Sequence, residues 1–465
     1  MPTVQFQSEL PVSQQVLYNY HASGGAFARL IPPWDSIQIQ DWKGGEATKS
    51  LEKYQQQGDI SLGAEVHLRI KSGPIAIPLV AKHIRHQEPE GFTDLQIQGP
   101  FPHWEHHHQF IQLEEEKSQL VDEISYQAPL FGLSEPFVRA KISRTFAFRH
   151  QRTQRDLGLY LKYADLPRQK FLVSGASGLI GRNLCALLRT HGHTVYTLVR
   201  RKPASPYEIQ WNIATQTIDI AALEGIDIVV HLAGESIDGR WSAQKKHRIS
   251  ESRIQGTKLL VDALMTLSNP PKTLVSTSAV GAYGNHAEEV ATEETSLVDD
   301  FLGSVCQNWE KEALRAAEKN IRVVTPRLGV VLSGQGGALA RMLPPFLAGV
   351  GGRLGAGKQW MSWIGLDDAL GLLLDISLRE EYLGPINLVA PNPVRNQEFT
   401  RILGKVIRRP TIFPVPSFMI KTIFGEMGQT LLLEGRKVLP EKALQKGYPF
   451  QFADLESLLR FELGR

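Results

Sequence analysis

The chain has 465 residues, 42% of them hydrophobic, and carries 51 Lys and Arg against 48 Asp and Glu for a formal net charge of +3. At ~150 residues per domain the length suggests about three domains with real cores, while so small a charge, with no basic run interleaved with aromatics, gives no argument for nucleic acid. No apolar run reaches ~18 residues and the N-terminus shows no charged segment leading into an apolar one, so neither a membrane span nor export is expected; Cys185 and Cys306 fit reduced thiols in a cytoplasmic protein.

Residues 1 to about 155 alternate short β-like runs with loops carrying Pro and Gly. Strands are expected at Glu65 to Ile70, Thr93 to Ile97, His106 to Leu113, Gln119 to Tyr126 and Ile142 to Phe148, an antiparallel sheet in prospect. Asp156 to Arg168 reads as a join. From Lys170 to about Thr325 strands alternate with helices, with strands expected at Phe171 to Val173, Thr194 to Val199, Ile226 to Leu232, Thr273 to Ser278 and Arg322 to Thr325. That is the pattern of a doubly wound parallel sheet. The remainder, from Pro326, reads as helical with short strands.

The most informative stretch is KFLVSGASGLIG, Lys170 to Gly181, where three glycines fall in the turn between the first parallel strand and a helix expected over Leu179 to Leu188. Such a turn needs one residue without a Cβ, a second glycine lets the backbone approach a pyrophosphate, and a third lets helix pack on strand. Amide groups at the helix N-terminus would hold the phosphates. The candidate phosphate-binding residues are Gly175, Ser177, Gly178, Leu179, Ile180 and Gly181.

After the second parallel strand come Arg200, Arg201 and Lys202, where an NAD site would place Asp or Glu. Arginine there accommodates a 2′-phosphate, which favours NADP while leaving NAD open, unless these cations only solvate a loop. Trp211 and Asn212 are placed to touch the adenine edge. Leu232, Ala233 and Gly234 form a small-residue turn at the carboxyl edge of the sheet, where cofactor ribose and phosphate pass. His231 reads as a packed histidine. Ser276, Thr277 and Ser278 put hydroxyls where a nicotinamide should lie.

The segments GASGLIG, HLAGESIDGRW (His231 to Trp241), ESRIQGT (Glu251 to Thr257), STSAVGAYG (Ser276 to Gly284), PRLGVVL (Pro326 to Leu332) and SWIGLDDA (Ser362 to Ala369) together resemble the extended branch of the short-chain dehydrogenase/reductase superfamily. The closer likeness is to an atypical, epimerase-like oxidoreductase family within it, whose small C-terminal domain Arg408 to Phe450 resembles. The resemblance implies an NAD(P)-binding Rossmann fold with a small, mainly helical C-terminal lobe. It also implies a nicotinamide contact through the backbone of Pro326 and Arg327. Ordinary members move the proton with a Tyr-xxx-Lys pair. Here Leu302 and Cys306 stand at those two positions. Ser278 matches the usual serine and Tyr283 is the nearest tyrosine, either a proton donor or part of a structural turn. These two are the catalytic candidates. Cys306, with no cation in its own turn, reads as buried rather than nucleophilic, and Asp367 and Asp368 read first as carboxylates of a helix N-terminus.

Phe6 to Tyr20, RLIPPW (Arg29 to Trp34), FTDLQIQGPFPHWEHHHQF (Phe92 to Phe110) and VDEISYQAP (Val121 to Pro129) resemble a START-like, polyketide-cyclase-like (SRPBCC) domain, an α+β helix-grip fold that binds a hydrophobic ligand. His103 and His106 to His108 invite a metal reading, but successive residues of a strand point to opposite faces, so the three cannot converge and no metal is expected. The expected organisation is a START-like domain over 1–155, a linker over 156–168, a Rossmann epimerase-like domain over 169–405 and a small C-terminal domain over 406–465. Two functions remain open: an NADP-dependent oxidoreductase or epimerase-like enzyme on a small or hydrophobic substrate, and a non-catalytic NADP-binding scaffold or redox sensor.

Overall fold

The computed structural model describes residues 1–45, 58–72, 75–129 and 134–465. They divide into two compact units, the first made of Met1–Arg168 with Asn183–Val195 and Gly464, the second of Gln169–Arg182 with Tyr196–Leu463 and Arg465.

The first unit begins with β1 (Thr3–Leu10), α1 (Gln14–Ala22) and α2 (Ala26–Leu30) and continues through β2 (Ile37–Lys43), β3 (Glu65–Ser72), β4 (Ile75–Gln87), β5 (Gly91–Gln98), β6 (His103–Glu114) and β7 (Lys117–Gln127). These strands form one antiparallel sheet in the order β1-β7-β6-β5-β4-β3-β2. Along β6 the buried residues His106, His108 and Phe110 alternate with less buried ones, as a strand with one covered face requires. The cover comes from α1, whose His21 ring lies 4.8 Å from Phe110, and from the long helix α3 (Glu135–Lys162), whose Phe146 stacks on Phe6 at 5.2 Å.

Two expectations change here. Ile142 to Phe148 is not a strand but part of α3: buried Val138, Ile142 and Phe146 recur every fourth residue, Pro136 occupies the first turn, and the residues between them are mostly polar or charged. The same helix runs through the start of the expected linker. Asp156 is a core residue there, accepting from Arg29 Nε at 2.9 Å, Arg29 Nη2 at 2.6 Å and the Tyr20 hydroxyl at 3.0 Å.

The histidines of β6 do not all diverge. His107 turns away, its Nδ1 2.7 Å from Thr93 Oγ1, but His106 and His108 share the inner face with Asp94 of β5, and the three offer ligand atoms all within 4.8 Å of one another. Alternation along β6 separates His107 from the other two and does not by itself exclude a metal.

The second unit is built on a nine-stranded sheet. Its order is β11-β10-β9-β8-β12-β13-β16-β14, with β20 beside β16. Here β8 is Lys170–Ser174, β9 Thr194–Val199, β10 Glu208–Asn212, β11 Thr217–Ile218, β12 Ile228–His231, β13 Thr273–Ser276, β14 Ser278–Ala279, β15 Val290–Ala291 (outside this sheet), β16 Arg322–Leu328 and β20 Gly384–Leu388; the short β17 (Val330–Ser333), β18 (Trp360–Met361) and β19 (Trp363–Gly365) lie between the last two. The pairings of β9 with β10, β8 with β12, β12 with β13, and β16 with β13, β14 and β20 are parallel, and that of β10 with β11 is antiparallel. Phe171, Leu172, Val173, Val229 and Val230 are fully buried, because helices cover both faces of a parallel sheet.

The helices after β8 are α4 (Leu179–Thr190), whose residues from Asn183 on are counted with the first unit, α5 (Ala243–Thr266), α6 (Phe301–Leu314), α7 (Gly337–Leu347), α8 (Leu366–Leu378), α9 (Asn396–Ile407), α10 (Ser417–Phe424), α11 (Glu441–Gln445) and α12 (Leu455–Leu463). The C-terminal segment is tied in by main chain and buried charge. Lys437–Val438 pairs in parallel with β15, Asp368 in the first turn of α8 accepts from the amides of Gln451 at 2.7 Å and Phe452 at 3.0 Å, and the Ser333 hydroxyl donates to Glu462 at 2.9 Å.

Candidate active site

The strand order reverses between β8 and β12, and ligands of open α/β sheets bind in the crevice at such a switch point. Two turns meet there. Gly175 has φ +68°, and a Cβ on it would stand 2.9 Å from the carbonyl of Leu232 in the turn after β12. A Cβ on Gly181 would come within 2.3 Å of Gly175 O, so this glycine sets the close packing of α4 on the turn. Gly178 differs: its Cβ would only approach Gly175 O at 3.3 Å, and Gly178 and Ser177 are exposed, with Leu179 and Ile180 half-buried behind them. Across the crevice Gly234 is exposed and Leu232 and Ala233 are half-buried.

The two turns are stitched by Ser174, whose Oγ accepts from the amides of Leu232 at 3.0 Å and Ala233 at 3.1 Å and lies 2.7 Å from His231 Nδ1. With both lone pairs taken, the hydroxyl proton goes to Nδ1, so His231 carries its own proton on Nε2 and donates to Thr257 Oγ1 at 3.1 Å. Burial pushes the His231 pKa down to about 4. This histidine is a neutral strut of the crevice. Trp211, expected near an adenine, is buried in the core with its ring edge-on to His231 at 6.0 Å.

Beyond β13, Thr277 is used locally, its amide and hydroxyl both donating to His231 O at 3.0 Å. Ser276 Oγ is buried without a hydrogen-bond partner among the described residues, and Ser278 Oγ, buried beside it, meets only the Cys306 thiol. A buried hydroxyl so left is costly unless a ligand or water engages it. Facing them is α6, capped by Asp300, which accepts from Gly303 N at 2.7 Å. Leu302 lies against Gly281 and Cys306 Sγ lies 3.9 Å from Ala279 O, so the helix face that would carry Tyr and Lys does look onto the end of β14. Burial raises the Cys306 thiol pKa, which disfavours a thiolate.

Tyr283 is not placed to give up a proton. Its buried hydroxyl donates to Asn387 Oδ1 at 2.7 Å and accepts from Arg327 Nη1 at 2.8 Å, and burial raises its pKa. Arg327 in turn is held by Glu310 through Nε at 2.9 Å and Nη2 at 2.8 Å. Its guanidinium is committed to the core, and Pro326 is buried within β16. The two arginines after β9 also separate: Arg201 is clamped by Glu208 at 2.7 and 2.5 Å, whereas Arg200 is exposed with no hydrogen bond or ion pair among the described residues.

One residue of the site escaped the sequence reading. Arg253 of α5 lies over the Trp309 ring at 5.1 Å, donates to Glu235 O at 3.0 Å and Ile249 O at 3.2 Å, and its Cζ is 3.1 Å from where a Cβ on Gly234 would be. Its charge also bears on Cys306. A cation therefore stands between the cofactor-side turn and the position of the missing lysine. The only signal in the sequence was its place inside ESRIQGT.

A family model described as the NAD dependent epimerase/dehydratase family matches residues 171–379, and one described as a domain of unknown function (DUF1731) matches residues 415–462. An epimerase family protein of Mycobacterium bovis, Mb2239, is 40% identical over 294 residues, 63% of this chain and 97% of that protein. The human epimerase family protein SDR39U1 is 36% identical over 295 residues, 63% of this chain and 98% of that one. Among solved structures, a nucleoside-diphosphate sugar epimerase from Corynebacterium glutamicum is 28% identical with a TM-score of 0.79 and covers 99% of this chain and 90% of its own, so the likeness takes in the N-terminal unit. Human SDR39U1 (isoform 2), solved with NADPH, is 33% identical with a TM-score of 0.59, covering 63% of this chain and 99% of its own. Among the described residues no helix is long and apolar enough to cross a membrane. The glycine turn at the switch point and these relatives agree, and the chain belongs to the NAD dependent epimerase/dehydratase family.

Proposed function

We propose that the chain binds NADP in the crevice between Gly175–Gly181 and Leu232–Gly234 and acts as an atypical short-chain oxidoreductase, or epimerase-like enzyme, on a small or hydrophobic substrate. The observation that carries this is Ser276 Oγ, buried without a partner at the strand end, with Ser278 Oγ near it held only by the Cys306 thiol, beside a turn whose glycines leave room for a pyrophosphate. The nicotinamide, when bound, supplies or accepts a hydride. Ser278 Oγ orients the substrate oxygen by hydrogen bonding. Arg253 provides the positive charge that an ordinary member draws from lysine, and Arg200 rather than Arg201 meets the 2′-phosphate. The NADPH found in human SDR39U1 supports this cofactor choice.

For the first unit, a seven-stranded antiparallel sheet gripping a long helix supports a START-like ligand-binding domain, with the boundaries expected above taken as working limits. Two buried free cysteines support a cytoplasmic setting. One observation favours the scaffold reading instead: with Leu302 and Cys306 on α6 and the Tyr283 proton engaged by Asn387, none of these groups offers a proton relay. Calorimetric titration with NADPH and NADH, followed by NADPH oxidation across a panel of carbonyl compounds, separates the readings. Tight NADPH binding with turnover that falls in Arg253→Met supports the enzyme; binding without turnover supports the scaffold; no binding of either nucleotide refutes both.

A further inference from the structure

We propose that the inner face of the N-terminal sheet holds one divalent first-row transition-metal ion, bound by Asp94 Oδ2, His106 Nδ1 and His108 Nε2 with a fourth position left open. The site is built by register. Asp94 pairs with His106 across β5 and β6, His108 pairs with Asp122 across β6 and β7, and His106 and His108, two apart, project from the same face.

Asp94 Oδ2 lies 3.3 Å from His106 Nδ1 and 3.6 Å from His108 Nε2. Metal–nitrogen and metal–oxygen bonds of ~2.0–2.1 Å in a tetrahedron give ligand–ligand edges of about 3.3–3.4 Å. The two distances to Asp94 Oδ2 are thus close to what an ion between these atoms requires, and the cluster's three ligand atoms all lie within 4.8 Å of one another. Two imidazoles and one carboxylate with an open position suit zinc, cobalt or ferrous iron more than magnesium or calcium, which prefer oxygen.

The outer shell is present as well. A metal-bound histidine ordinarily turns its other ring nitrogen to a carboxylate, which fixes its tautomer. Asp122 Oδ1 lies 3.0 Å from His106 Nε2 and 2.7 Å from His108 Nδ1, the second contact close but off the line of a hydrogen bond. One ring offers Nδ1 to the site and the other Nε2, yet the far nitrogen of each meets the same oxygen. Asp122 Oδ2 meets His150 Nε2 at 2.9 Å, and His150 Nδ1 lies 2.8 Å from Ser8 Oγ. Phe92 stacks on His108 at 4.2 Å and Phe146 stands edge-on to His106 at 4.9 Å, which fixes both rings.

Asp94 is the most exposed of the three ligands, its side chain 15% accessible against 3% for His106 and 10% for His108, so solvent reaches the carboxylate first.

The test uses the full chain without a histidine tag, stripped with chelator and titrated with Co²⁺ and then Zn²⁺. Expected are the visible bands of tetrahedral cobalt saturating at one ion per chain, their displacement by Zn²⁺, and a raised melting temperature with either ion. Asp94→Asn, His106→Gln and His108→Gln should each abolish the bands. Asp122→Asn should weaken binding about 10- to 100-fold, and His107→Gln, on the opposite face, should leave it intact. Circular dichroism confirms that each variant is folded, and Asp122→Asn keeps the three ligands should a ligand variant fail to fold. Stripped, folded wild type that gives neither bands nor a melting shift would show a metal-free ion-pair cluster and overturn the proposal. So would loss of binding in His107→Gln equal to that in His106→Gln.

Discussion

Gly178 offers the cleanest separation of folding from cofactor binding. A Cβ on Gly181 would lie 2.3 Å from Gly175 O, so even Gly181→Ala must displace backbone, at a cost typical of overpacking, about 1–3 kcal/mol. Gly175 adds a positive φ of +68° to a 2.9 Å approach to Leu232, and alanine there is strained as well. A Cβ on Gly178 meets only Gly175 O, at 3.3 Å, and the residue faces the crevice. The branched side chain of Gly178→Val therefore fills the space left for the pyrophosphate while asking little of the fold. A charge-assisted hydrogen bond is worth about 1.5–3 kcal/mol, so each amide–phosphate bond prevented weakens binding roughly 10- to 150-fold. Titration of NADPH against intrinsic fluorescence, paired with thermal melts, should show Gly178→Val melting near wild type with its affinity reduced by at least that factor. Gly181→Ala should show the larger loss of melting temperature. Unchanged NADPH affinity in Gly178→Val would mean that the phosphates do not lie over this turn.

Arg200→Ala should reduce the preference for NADPH over NADH by about 10- to 150-fold, and Arg201→Ala by much less because Glu208 already holds that guanidinium; equal effects in a competition titration would contradict the assignment. Ser278→Ala should lower NADPH-dependent turnover with the melting temperature kept. Tyr283→Phe should do the reverse, costing about 1–3 kcal/mol of stability because Arg327 and Asn387 lose a buried partner; steady-state rates beside melts decide, and the opposite pattern would place Tyr283 in the proton path. His231 is held neutral with a pKa near 4, below the ordinary 6.5. Its contribution is complete above pH 6.5 and declines as pH falls towards 4, because the unfolded chain takes up the proton first, for a total of about 3 kcal/mol. Denaturant midpoints should therefore fall less steeply over that range in His231→Gln than in wild type, and identical slopes would show that this ring does not titrate on unfolding.

The glycine turn was legible because its chemistry is local: the residues that need missing side chains lie within seven positions of one another, between a buried strand and a helix. The parallel strands were legible as short apolar runs, although β20 was not, since Gly384–Leu388 carries Pro385 and Asn387 and joins the sheet only through β16. What the sequence could not show was a side chain's partner when that partner is distant along the chain. Tyr283 looked like the nearest available hydroxyl, but Arg327 and Asn387, which engage it, arrive from other strands. Arg201 looked free because Glu208 reaches it only when the chain turns into β10. The histidines of β6 were judged along their own strand, and the carboxylates that give them meaning come from the strands on either side. Ile142 to Phe148 was misread because so short a stretch of mixed apolar and polar residues fits either secondary structure, and the four-residue spacing emerges only with Val138 included.

The ties between Asp368 and the amides of Gln451 and Phe452 have a thermodynamic consequence. The stretch matched as a domain of unknown function is tied to the rest of its unit: its strand completes the two-stranded pair with β15, and two of the amides that satisfy a buried carboxylate at the head of α8 come from it, while α8 packs on the central strand β13. A chain truncated before Lys437 would strip that carboxylate of both amides and leave β15 unpaired, and the damage would pass through α8 to the strand beside Ser276 and Ser278. The terminal segment and the nucleotide fold should therefore melt as one cooperative transition, and a protease that nicks the tail should cost nucleotide affinity although every residue of the crevice is still present.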